Sequence, residues 1–126
     1  MAARRWLLLL ILALLAGAAL PVFAQPPTPA TGCTGLMPTR LIVHERGRVA
    51  RTDPSPVNVR GEPGTNAELL GQIPVGIVFF VLEGPECTQR YTWYRVKATV
   101  EGEGLAGWIA EGDANAWFVE RFPPGL

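Results

Sequence analysis

Ser55, His44 and Asp53 are the only residues in this chain that could be written as a nucleophilic triad, because His44 is the sole histidine and Ser55 the sole serine. Such a triad needs a base held against the hydroxyl and a third group that orients the base. Here the serine stands in the proline-bounded loop Asp53-Pro54-Ser55-Pro56, and all three residues fall on loop or surface segments, so acyl transfer has no support. Glu62 with Glu68, and Glu101 with Glu103, have the form of the carboxylate pairs used in glycoside hydrolysis. Solvation of polar loops accounts for both pairs more simply. Gly102-Glu103-Gly104 lacks the strand-turn-helix setting and the lysine of a phosphate-cradling loop. The expectation is a protein without catalytic residues, cofactor or metal.

Recognition has more to work with. Trp93, Tyr94, Trp108, Trp117 and Phe118 offer flat π faces suited to a saccharide ring or a proline. The same side chains are what a small domain needs to fill its core, and that reading of them is the stronger one. A nucleic-acid surface is not expected, since the arginines at 46, 48, 51 and 60 are interrupted by Glu45, Asp53 and Glu62.

The elements that must position these residues are short strands. Val57 and Val59 alternate with Asn58 and Arg60, which places the two valines on one face. Pro63-Gly64 is a turn signal; Leu69, Leu70 and Ile73 follow, then Pro74-Val75-Gly76. Six apolar residues run from Ile77 to Leu82, and Gly84-Pro85 is expected to stop them. A strand over 91–99, a loop at 101–104, a pairing strand over 105–109 and a closing segment over 116–122 complete an all-β pattern with no room for a substantial helix. The short run Leu41-Ile42-Val43 reads as strand-like, within an extension over 36–43 that lies across one end of the fold. Val78, Phe80 and Leu82 share one face of the apolar strand and Ile77, Phe79 and Val81 the other, and alternation alone does not choose between them; with the first set outside, it requires either cover from that extension, the favoured reading, or a partner.

The N-terminus sets the compartment. Arg4 and Arg5 precede an apolar run from Trp6 to Leu20, Pro21 ends it, and Val22-Phe23-Ala24 precedes Gln25 as at a signal-peptidase site. Residues 1–24 are therefore expected to be a signal peptide, and no membrane segment is expected to remain after cleavage. The other 102 residues suffice for one domain. Their basic count falls from 11 to 9 against 11 acidic residues, a net charge of −2. A Pro/Thr/Ala-rich leader over 25–34 leads into a domain over 35–122. Cys33 and Cys87 are the only cysteines, and export permits them to pair. Pairing, with a chain-entropy gain of roughly 3 to 4 kcal/mol, is favoured over free or intermolecular thiols and over a metal or redox site.

Taken in order, Val57-Asn58-Val59-Arg60-Gly61-Glu62-Pro63-Gly64, Leu69-Leu70-Gly71, Val75-Gly76, Trp93-Tyr94-Arg95-Val96 and Gly107-Trp108-Ile109 resemble a bacterial SH3-like (SH3b) domain over residues 46–120. The resemblance implies a small SH3-like barrel, Phe79 and Val81 inside it, and largely structural roles for Trp93 and Trp108. Some members line a groove with aromatic residues near the loop after the first strand; the corresponding loop here, 51–56, has none. The ligand patch left by that comparison is Asn58, Arg60, Glu62, Tyr94 and Trp108. An exported module that binds a protein, peptide or cell-wall component in the periplasm or cell envelope is the expected function, with a secreted structural or protein-interaction scaffold as the second reading.

Overall fold

The computed structural model describes residues 19–22, 32–52 and 55–123. The expected signal segment therefore lies almost wholly outside the described residues, as does most of the leader. Seven strands follow in chain order: β1 (Arg46–Val49), β2 (Val57–Arg60), β3 (Leu69–Ile73), β4 (Val78–Cys87), β5 (Thr92–Val100), β6 (Glu103–Gly112) and β7 (Val119–Arg121). They form one antiparallel sheet in the order β3-β2-β6-β5-β4-β1-β7. The sheet curls into a half-barrel around a single core.

Period-two alternation places that core. Val57 and Val59 of β2, Phe79 and Val81 of β4, Val96 and Ala98 of β5 and Ile109 of β6 are all buried. Val49 and Val119 carry the core into β1 and β7, where Arg48 lies opposite Glu120 and bonds it at 2.5 Å. A cross-strand ion pair of this kind is worth about 0.2 to 1 kcal/mol.

Gly84-Pro85 does not stop the apolar strand as expected; β4 runs through it to Cys87. Its pairing with β5 shifts between Val81 and Glu83 and again between Glu83 and Glu86. In this irregular stretch Pro85, which has no N–H to donate, is tolerated. Gly84 takes φ +134°, and a Cβ there would lie 2.6 Å from the Tyr94 ring.

Gly107 answers a different need. β2 and β6 are registered at Arg60 opposite Trp108, and a Cβ on Gly107 would come within 2.6 Å of the Arg60 carbonyl oxygen and 2.8 Å of Val59. The Gly-Trp-Ile run thus has glycine where two backbones press together. Gly107→Ala is expected to destabilise the fold by roughly 1 to 3 kcal/mol through overpacking, measured as a lower urea midpoint. An unchanged midpoint would show that the two strands can separate at little cost.

The N-terminal extension is held at several points. Cys33 is bonded to Cys87 with a Cα–Cα distance of 5.6 Å. The Met37 amide donates to the Asp113 carbonyl, and the Trp117 indole donates to the Pro38 carbonyl at 2.8 Å. Glu111 Oε2 accepts from the Arg40 amide (3.0 Å), the Leu41 amide (2.8 Å) and the Thr39 hydroxyl (3.2 Å). Leu41 then enters the core beside Gly47 and Phe79.

The expected strand at 41–43 is absent, because the Leu41 amide is spent on Glu111 and the chain turns at once through Ile42–Glu45. The bonds of the stretch from Cys33 to Leu41 run to β4's end, β5, β6, β7 and the segment before β7, and Val78, Phe80 and Leu82 are half-buried. The groups beside the Phe80 ring are His44 and Lys97.

Candidate functional site

Asn58 and Arg60 alternate with the buried valines of β2 and so face outward, where they meet the outer side of β5 and β6. Both line a cavity of about 250 Å³ together with Ser55, Pro56, Thr65, Tyr91, Trp93, Ala110 and Phe118. The aromatic side comes from three places in the chain. Trp93, 2% exposed, backs the wall and donates its indole N–H to Thr88 at 2.9 Å. Tyr91 crosses it edge-on with centroids 5.8 Å apart, and Phe118 stands 6.2 Å from Tyr91 on the far side.

A second, shallower hollow adjoins the first through Thr65 and Tyr91, which line both. It lies between the turn at 62–67, with Glu62 and Pro63, and the polar tip Thr88-Gln89-Arg90. Arg60 stiffens that turn by donating to the Ala67 carbonyl at 2.9 Å, and Asn58 accepts from Gln72 at 2.8 Å. The outcome is a trough walled by aromatic rings, edged by an amide and a guanidinium, and extended between two polar turns.

Three of the five patch residues expected from sequence, Asn58, Arg60 and Glu62, lie along this trough. Trp108 is half-buried in the neighbouring row, between Arg60 and Arg95, and lines neither hollow. Tyr94 is a correction. It is 1% exposed and belongs to the core, with its hydroxyl bonded to Thr39 and donating to the Leu41 carbonyl at 3.4 Å. Burial holds that phenol above its ordinary pKa. With its ring inside, Tyr94 has no face to offer a ligand. Tyr91 and Phe118 are the trough residues that strand patterns do not reveal; the one local signal for Tyr91 is its place directly after a polar turn.

Residues 55–115 match the bacterial SH3 domain family. Over that span the chain is similar to this family, consistent with the SH3-like fold of the sheet. The matched span includes β2 to β6 and both hollows' turns, and leaves β1, β7 and the disulfide-tethered extension outside it. No curated protein and no solved structure matches the chain.

SH3 domains of this bacterial type are non-catalytic binding modules. His44 and Ser55 share no site, since His44 stacks on Phe80 and Ser55 lines the trough beside Tyr91 and Trp93; Asp53 lies outside the described residues. Among the described residues, no group of three or more histidine, cysteine or acidic side chains could hold a metal ion.

Proposed function

We propose that this protein is an exported, non-catalytic module whose trough takes an extended peptide or cell-envelope strand. The observation that carries the proposal is the continuity of the two hollows through Thr65 and Tyr91, with Tyr91, Trp93 and Phe118 on one side and Asn58 and Arg60 on the other. Aromatic faces pack on flat apolar ligand surfaces, and the Asn58 side chain can both accept and donate hydrogen bonds to a ligand backbone. Export is supported by the N-terminal run and by the Cys33–Cys87 bridge, which an oxidising compartment maintains. A trough on so small a domain buries little area, so affinity is modest unless copies act together.

Purified cell wall and envelope extract are expected to retain the mature protein. Asn58→Arg fills the smaller hollow from an exposed position and should lower retention at least about tenfold, while Trp108→Ala, which alters neither hollow's lining, should be retained like wild type. Equal retention of Asn58→Arg and wild type would remove the trough as the site. Failure of the wild type itself to be retained would favour the scaffold reading.

A further inference from the structure

Farther along the outer face of the curled sheet lies a second surface, which shares no lining residue with the trough. Strand register sets Arg46, Phe80, Lys97 and Ala106 side by side across β1, β4, β5 and β6. Residues paired in this way project from the same face, and because Phe79 points inward at 2% exposure, Phe80 points out. Val78 lies opposite Arg48, and Thr99 opposite Gly104, in the next row. Together they border a broad concavity of about 670 Å³ whose lining holds Arg46 and Lys97 and no carboxylate.

Charge pairing leaves both of these cations unpaired. Arg48 is neutralised by Glu120, Arg95 by Glu83 and Arg121 by Glu45. Arg46 and Lys97 are exposed and have no acidic partner among the described residues; each lies instead near a ring, Arg46 at 5.3 Å from Phe122 and Lys97 at 5.5 Å from Phe80. A chain with a net charge of −2 after export thus keeps two unpaired cations astride one half-buried aromatic ring.

We propose that this face binds an extended acidic peptide, with two carboxylates astride an apolar side chain that packs on Phe80 and Val78. Strands lie about 4.8 Å apart, so the backbones of Arg46 and Lys97, separated by two strand intervals, are roughly 9.6 Å apart. In an extended peptide the side chains of residues i, i+2 and i+4 share one face, and the outer two stand about 13 Å apart. The long arginine and lysine stems splay far enough to meet that spacing. A lipid surface fits less well: Phe80 is half-buried in a concavity and has no protruding apolar tip to enter a bilayer.

The test is an amide-shift titration of the full mature chain with the peptide acetyl-Glu-Ser-Leu-Ser-Glu-amide. Shifts are expected at Arg46, Phe80, Lys97 and Ala106, away from Asn58 and Tyr91. The glutamine analogue acetyl-Gln-Ser-Leu-Ser-Gln-amide, and the Arg46→Glu, Lys97→Glu protein, should each bind roughly tenfold more weakly, as expected for two exposed charge pairs. Lys97→Arg should bind like wild type. Lys97→Glu alone leaves the Arg46–Phe122 contact intact and should weaken binding about threefold. Equal binding of the neutral peptide, shifts confined to the trough, or no peptide shifts alongside retention on phosphatidylglycerol vesicles would each overturn the proposal.

Discussion

Replacing both cysteines, Cys33→Ser with Cys87→Ser, is expected to lower the melting temperature by roughly 20 °C. The bridge joins residues 54 positions apart, and closing a loop of that length removes conformational freedom from the unfolded chain worth about 4 kcal/mol. In a domain of this size each kcal/mol moves the midpoint by roughly 4 to 8 °C. Native-state contacts should change less than stability does. Cys87 closes the end of β4 opposite Thr92, and the extension that begins at Cys33 is also held through Met37, Pro38 and Glu111. The variant at low temperature should therefore keep the amide pattern of β2, β5 and β6. Wild type treated with reductant should melt where the variant does. A fall of less than about 5 °C in both would show that the unfolded chain is not restrained by the bridge in the way chain entropy describes.

What the sequence made legible follows from how local each feature is. The valines of β2 are visible because alternation with Asn58 and Arg60 decides them, whereas the Phe79/Val81 face of β4 lies in a run apolar on both sides and is placed by the resemblance to SH3b domains. The pairing of Cys33 with Cys87 is visible because no other cysteine exists. Alternation puts Tyr94 on the core face with Val96 and Ala98; its place in the ligand patch comes from the family comparison, and only the burial of Trp93 departs from the alternation. At this end β5 is covered on both sides, by the core and the extension at Tyr94 and by Tyr91 at Trp93. The register shift between Thr92 and Trp93 breaks the pattern further. The trough escapes sequence reading for a related reason. Phe118 arrives from the chain between β6 and β7 to face Ser55 and Pro56, more than 60 residues earlier, and only the closed sheet brings them together. Glu111 gave no signal either, since an acidic residue near the end of a strand reads as a solvated one until the extension folds over it.

That carboxylate leads to the other large effect. Glu111→Ala is expected to cost about 3 kcal/mol, because the buried amides of Arg40 and Leu41 and the Thr39 hydroxyl lose their common acceptor at a position that is 1% exposed. Glu111→Gln keeps an acceptor oxygen of the same reach and should cost about 1 kcal/mol. The pH dependence separates the roles of charge and shape. Burial pushes the Glu111 carboxyl above its ordinary value of 4.5, an effect only partly offset by the Leu41 and Arg40 amides, the Thr39 hydroxyl and the nearby Arg40 charge. An acid whose folded pKa is raised binds its proton more tightly in the folded state. Its contribution to stability is therefore full below pH 4.5 and is lost as pH rises through the raised value. The stability of wild type relative to Glu111→Gln, measured by urea denaturation, should accordingly increase as pH is lowered from neutrality toward 4. A difference that shrinks on acidification would mean that the donors around Oε2 outweigh desolvation and hold Glu111 ionised. A difference flat with pH, alongside a large loss in Glu111→Ala, would mean that the extension is fastened by the shape and acceptor of this side chain and not by its charge.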